Sequence, residues 1–147
     1  MNRVLLDNSQ MSYWRLHYRL IWATKQRLPL INPVEEAIIR ESIQMTAARM
    51  KMMVHAIGSV EDHIHVAISI PPTVSIAEAV GRLKGGSSHL IGQRSTGKGS
   101  FAWQSEYGAL SLTDRALPTV IRYVLDQKQH HAEYSLIVGL ERIEHPR

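Results

Sequence analysis

Two histidines separated by one residue, His63-Ile64-His65, and a tyrosine followed four residues later by a glutamine, Tyr123 and Gln127, have types and spacing that suit chemistry. In extended backbone, residues two apart share a face. His63 and His65 then stand about 7 Å apart along the chain, at ~3.3 Å rise per residue. Two neutral imidazoles at that spacing can share one divalent cation. Gln127, one helical turn beyond Tyr123, offers an amide oxygen as a third ligand. Such an N/N/O set with open positions suits Mg²⁺ or Mn²⁺ acting on phosphate. A tyrosine beside that cation has one obvious use, attack of its phenolate on phosphorus to form a covalent ester. Free tyrosine has a pKa near 10, so a neighbouring cation must favour the phenolate. Taken singly, each residue has a plainer reading: surface histidines, a packed helix-flank aromatic, an exposed amide. His130-His131 lie nearby, but adjacent helical residues point about 100° apart and make poor joint ligands.

The elements that position these residues follow from hydrophobic period. Asp62 to Ile70 alternates, with Ile64, Val66, Ile68 and Ile70 on an oily face and His63, His65, Ala67 and Ser69 on the other. Trp14 to Ala23 alternates in the same way. Trp14, Leu16, Tyr18, Leu20 and Trp22 share one side, and Arg15, His17 and Arg19 share a cationic one. Asn32-Pro33-Val34-Glu35 is a capping box with proline at the first helical position. The helix it opens is expected to run to about Met52, burying Val34, Ala37, Ile38, Met45, Ala48 and Met52. Val54 to Val60 forms a strand in a hairpin with the histidine strand. Ser75-Ile76-Ala77-Glu78 opens a second helix, interrupted at Lys84-Gly85-Gly86 by a bend or a close backbone approach. Tyr107 to Leu112 reads as a fourth strand. Asp114 is the expected cap of a last helix striped by Leu117, Val120, Ile121, Val124 and Leu125, with Tyr123, Gln127 and His130 on its flank. Ile137 to Leu140 suggests a short edge strand.

The first six elements run strand, helix, strand, strand, helix, strand. That predicts an α+β ferredoxin-like (RRM-like) sandwich, with two helices on one face of a four-stranded antiparallel sheet. The tyrosine-bearing helix is expected over the other face, which brings Tyr123 and Gln127 to the imidazoles. The 147 residues suit one domain, with a core from about 14 to 134 and loose ends at 1–12 and 141–147.

A formal charge of +4 and a pI near 9.6 favour an anionic partner. The absence of cysteine excludes disulfides and thiolate metal sites. No signal-like or membrane-spanning apolar run is present, so the expectation is a cytoplasmic protein with no membrane partner. Gly92 to Gly99 nearly spells a phosphate-binding loop. However, it has Gly99 where serine or threonine is needed and follows a helix rather than a strand, so no nucleotide cofactor is expected. It reads instead as a basic loop whose Arg94 and Lys98 can touch a nucleic-acid backbone. Arg15, His17, Arg19, Lys25, Arg27, Arg82 and Lys84 are further candidates for contact with DNA.

His63-Ile64-His65 matches the HUH motif, two histidines around a bulky hydrophobe. Tyr123-Val124-Leu125-Asp126-Gln127 followed by His130-His131 matches a single-tyrosine signature. With Trp22-Ala23-Thr24-Lys25, Asp62-His63-Ile64-His65, Gly81-Arg82-Leu83-Lys84-Gly85, Trp103-Gln104 and Tyr107-Gly108-Ala109, the ordered set resembles the small single-tyrosine transposases of the insertion-sequence 200-like type and their repeat-associated relatives. The likeness covers most of the chain. It implies the HUH-nuclease version of the sandwich, with Tyr123 as nucleophile and His63, His65 and Gln127 around Mg²⁺ or Mn²⁺. The implied substrate is single-stranded DNA with hairpin ends, cleaved to a 5′-phosphotyrosine and a free 3′-hydroxyl, then rejoined without ATP. The likeness also implies a homodimer with sites shared between subunits, although some relatives act as monomers, and action at the prokaryotic nucleoid. The competing readings are a non-catalytic, domesticated single-strand-binding protein of the same fold and a metal phosphodiesterase that uses water.

Overall fold

The computed structural model describes residues 12–94, 100–133 and 138–144. The elements are β1 (His17–Ala23), α1 (Pro33–Arg49), β2 (Met53–Val60), β3 (His63–Ser69), α2 (Ile76–Arg94), β4 (Gly108–Leu112), α3 (Leu117–Leu125), α4 (Gln127–Glu133) and α5 (Val138–Glu141), with a 3-10 turn at Lys25–Arg27. The antiparallel sheet runs β2-β3-β1-β4, the order expected of a ferredoxin-like sandwich. Among the described residues, no helix is long and apolar enough to cross a membrane.

Alternation along β1 and β3 divides the molecule into two layers. Leu20, Trp22, Ile64, Val66 and Ile68 point into the main core with Ile39 and Ile43 of α1 and Val80 and Leu83 of α2. Ala67 of β3 and Ala56 of β2 pack on the opposite side, against Val120, Tyr123 and Val124 of α3. Ile21 and Ala23 face Ile143 on that side as well. The C-terminal elements therefore form a second layer over the face that carries the histidines.

Two glycines admit this layer. A Cβ on Gly58 of β2 would lie 1.8 Å from the Val124 carbonyl oxygen, and one on Gly108 of β4 would lie 2.2 Å from that of Arg142. Only glycine lets backbone approach backbone so closely.

Several local expectations are corrected. β1 starts at His17 rather than Trp14. Its partner β3 ends at the Pro71-Pro72 pair, and the last ladder bond runs from the Ile70 amide to the Leu16 carbonyl at 3.0 Å. Trp14 accordingly stays 45% exposed. The capping box at Asn32 is present in full, but α1 ends at Arg49 and its buried face is rotated from the expected stripe. Ile38, Ile39, Ser42, Ile43, Thr46 and Ala47 are buried, while Val34 and Met45 are exposed. The reason lies in α2, which is continuous through the glycine pair. A Cβ on Gly86 would lie 3.0 Å from Thr46 Oγ1 and 3.2 Å from Ser42 Oγ. Small polar side chains thus pack where larger apolar ones were sought. Gly92 to Arg94, expected in a loop, complete α2.

Asp114 does not cap α3; Thr113 Oγ1 accepts the Ala116 amide at 3.1 Å instead. The last helix breaks at Asp126 into α3 and α4. Tyr123 lies within the buried face of α3 rather than on its flank, and Leu125 is exposed. Residues 138–141 form a helical turn instead of an edge strand. Leu140 and Ile143 are buried, so the expected loose end from 141 is packed at least to Ile143. The loose end expected at 1–12 lies outside the described residues except for Ser12.

Candidate active site

The histidine strand sits in the middle of the sheet, so its polar face is enclosed once the C-terminal layer is in place. His63 is 2% exposed, His65 0%, Tyr123 3% and Gln127 1%. Their surroundings are polar. The two imidazoles lie 5.3 Å apart between ring centroids, and His65 lies 5.9 Å from the Tyr123 ring. The His130 ring stacks on Tyr123 at 4.4 Å, and the His131 ring tilts against His63 at 4.8 Å. Two clefts of about 590 and 420 Å³ flank the Lys128–Glu36 ion pair; Gln127 lines one and His131 the other.

Asp62 Oδ1 lies 2.7 Å from His63 Nδ1. A carboxylate only accepts, so Nδ1 carries the proton and the Nε2 lone pair faces the chamber. That Nε2 is buried and without a hydrogen bond.

Glu141, from α5, stands at the centre. Its Oε1 is 3.3 Å from His63 Nε2 and 3.2 Å from His65 Nε2. Its Oε2 accepts the Tyr123 hydroxyl, and the Gln127 amide nitrogen lies 3.3 Å from that same oxygen. The ligand atoms of His63, His65 and Glu141 all lie within 4.8 Å of one another, a grouping able to hold a metal ion. Gln127 Oε1 is turned to His131 Nε2 at 3.1 Å. A half-turn of the amide would present the oxygen to the chamber.

The charges fit a cation site. Burial pushes His65 down to about 4, against the pull of Glu141, so this imidazole is neutral at pH 7, as a ligand must be. Burial also opposes protonation of His63, but Asp62 and Glu141 outweigh it and raise its pKa. A divalent cation at Nε2 would replace that proton. Burial alone would raise the Glu141 pKa, yet the facing His63 and His65 imidazoles hold it far below the usual carboxylate range.

The basic residues fare differently. Arg19 is 2% exposed and its Nη2 donates to the Gly139 carbonyl at 2.9 Å, so it faces the protein's own C-terminal segment. His17 is buried between Ser69 Oγ at 2.7 Å and Asp114 Oδ1 at 2.5 Å, and Arg15 pairs with the same aspartate at 3.0 Å. Lys84 Nζ holds the Gln104 and Ser105 carbonyls at 2.5 and 3.2 Å. Arg82 pairs with Glu78 and Arg94 with Glu41, both in the helical layer behind the sheet. Lys25 and Arg27 are exposed on the 3-10 turn. Thr24, beside that turn, bonds the Asp62 carbonyl at 2.9 Å, and the Arg27 charge acts on the Asp62 carboxylate. Lys98 lies outside the described residues.

Sequence reasoning missed Glu141 and Asp62 as site residues. Asp62 had a signal, being adjacent to His63. Glu141 had none, as one of two glutamates, with Glu144, in a mixed tail.

Solved structures share this architecture. A transposase structure from Deinococcus radiodurans superposes with a TM-score of 0.61 at 21% identity, covering 85% of this chain and 98% of that one. A REP-associated tyrosine transposase bound to a REP hairpin superposes with a TM-score of 0.63 at 13% identity, covering 82% and 74%. In sequence, the ISDra2 transposase TnpA of Deinococcus radiodurans is 25% identical over 126 residues, spanning 82% of this chain and 88% of its own length. The family model described as transposase, IS200-like, matches residues 12–127, from before β1 through Tyr123 to Gln127, and the chain belongs to that family.

Proposed function

We propose that this transposase cleaves and rejoins single-stranded DNA through a covalent tyrosine ester, with hairpin or palindromic ends as the recognised substrate. The observation that carries the reading is the meeting of the Tyr123 hydroxyl and both imidazole Nε2 atoms on one carboxylate of the same chain. A nucleophile and a cation site so placed serve transfer of a phosphoryl group.

His63, His65 and Gln127 would hold a divalent cation, Mg²⁺ or Mn²⁺, with Asp62 orienting His63. When bound, that cation polarises the scissile phosphate and favours the phenolate. Tyr123 attacks phosphorus; the bond to the 3′-oxygen breaks, leaving a 3′-hydroxyl and a 5′-phosphotyrosine. The phenol proton leaves as the 3′-oxygen takes one up, so no hydrolysis and no nucleotide cofactor are needed. Rejoining is the reverse reaction with another 3′-hydroxyl. The His130 ring fixes the tyrosine ring by stacking. Lys25 and Arg27 meet the DNA backbone. The hairpin partner is supported by the REP-associated neighbour, which is bound to one. A nucleic-acid substrate supports action in the cytoplasm, at the nucleoid.

Tyr123 reaches the imidazoles of its own chain, which supports a site complete within one copy. A homodimer that exchanges tyrosines is the alternative assembly.

The test is a denaturing gel of labelled hairpin-bearing single-stranded DNA incubated with the protein and Mn²⁺. A covalent adduct that disappears in Tyr123→Phe supports the reading. Cleavage without adduct would point to water as nucleophile, and binding without cleavage to a non-catalytic, domesticated protein.

A further inference from the structure

We infer that Glu141 is itself a ligand of the cation, delivered by the C-terminal segment, and that Arg19 is the positioning residue that holds this segment in place. The inference rests on the metal-site reading above and extends it to residues beyond the histidine strand and the tyrosine helix.

Two ligands on neighbouring corners of an octahedron, each ~2.1 Å from a Mg²⁺-sized ion, sit ~3 Å apart. Glu141 Oε1 lies 3.2 Å from His65 Nε2 and 3.3 Å from His63 Nε2, the spacing of neighbouring ligands, and all three ligand atoms lie within 4.8 Å of one another. The buried His63 Nε2 makes no hydrogen bond. Asp62 fixes its tautomer from the other side of the ring, which leaves Nε2 as the nitrogen with the lone pair, 3.3 Å from the carboxylate oxygen. The second carboxylate oxygen accepts the Tyr123 hydroxyl. One side chain therefore ties the cation to the nucleophile.

The segment that brings Glu141 is seated by built features. Arg19 reaches from β1 under α5 and donates to the carbonyls of Gly139 at 2.9 Å and Arg142 at 3.5 Å. A guanidinium buried to 2% exposure is costly unless its partners are in place. Gly108 leaves room for the Arg142 carbonyl, and Leu140 and Ile143 are buried on either side of the glutamate. Adding a hard carboxylate oxygen to two imidazoles favours Mn²⁺-like cations over softer ones.

The experiment measures Mn²⁺ binding to the full chain by calorimetry and by loss of the free-Mn²⁺ EPR signal. The proteins are wild type, Glu141→Gln, Glu141→Ala, His63→Ala, Arg19→Gln and the Arg19→Gln/Glu141→Ala pair, with circular dichroism to check folding. Wild type binds one Mn²⁺, and both Glu141 variants lose affinity by about tenfold or more. Arg19→Gln loses less, and adds nothing in the Glu141→Ala background, since it acts only through that carboxylate. If wild type binds no Mn²⁺, the metal-site reading falls and this inference with it. If His63→Ala loses binding while Glu141→Ala keeps wild-type affinity, only the inference falls. Tighter Mn²⁺ binding and faster adduct formation in Glu141→Ala would likewise overturn it, and would show that the carboxylate occupies the place of the substrate phosphate.

Discussion

Asp62 and His63, adjacent in the chain, are joined side chain to side chain at 2.7 Å, Oδ1 to Nδ1. That bond decides which nitrogen of the imidazole is free to hold a cation. Asp62→Asn keeps the shape but permits the other tautomer. Mn²⁺ affinity should fall by about 10- to 100-fold, the usual cost of losing such a partner. Titration calorimetry checks this, and unchanged affinity would show that the aspartate does not orient the ring.

Gly58 carries the tyrosine helix on its backbone. In Gly58→Ala the new methyl would sit 1.8 Å from the Val124 carbonyl oxygen, which is backbone and cannot swing aside. The helix must lift from β2, so the variant should lose at least about 2 kcal/mol of unfolding free energy. Denaturant titration measures it, and adduct formation should fall more than the residual folded fraction accounts for, since Tyr123 is displaced.

The glycine pair of α2 offers an internal contrast. A Cβ on Gly85 meets nothing within 4 Å, whereas one on Gly86 meets Thr46 and Ser42. Gly85→Ala should stabilise the protein by roughly 0.5–1 kcal/mol through helix propensity. Gly86→Ala should gain less or destabilise. Thermal or chemical unfolding of the two variants side by side tests the assignment of Gly86 to the interface between α1 and α2.

The Tyr123–His65 distance within one chain, 5.9 Å between ring centroids, bears on how many copies make one active site. His63→Ala and Tyr123→Phe should each abolish cleavage, and an equal mixture should stay inactive if the site is complete in one copy. Recovered cleavage on mixing would mean that partner copies exchange tyrosine helices.

The sandwich was legible because strong signals agreed. The capping box at Asn32, the Ser75 hydroxyl that accepts the Glu78 amide at the start of α2, the alternation of β1 and β3, and the Pro71-Pro72 stop each act over a few residues and need no distant partner. The placement of Tyr123 near His65 followed from topology, since an amphipathic helix after β4 has one uncovered sheet face to bury against. What escaped the sequence depends on long-range partners. Arg19 looked like a solvated cation because its acceptors, the carbonyls of Gly139 and Arg142, are about 120 residues away in the chain. The face buried by α1 was misjudged because Gly86 favours Ser42 and Thr46 over methionine. Glu141 follows no period; the burial of Leu140 and Ile143 and the Arg19 bonds to the Gly139 and Arg142 carbonyls reveal that its segment is anchored.

The central claim, that Tyr123 attacks the DNA phosphate, is tested most directly by mass spectrometry of the trapped adduct. The protein is incubated with hairpin-bearing single-stranded DNA and Mn²⁺, trimmed with nuclease and digested with trypsin. Cleavage after Arg122 and Lys128 releases Tyr123-Val124-Leu125-Asp126-Gln127-Lys128. The account predicts that this peptide carries a nucleotide joined through its 5′-phosphate to the tyrosine oxygen. A nucleotide on another residue, or DNA cut to free 5′-phosphate ends while this peptide stays unmodified, would contradict it.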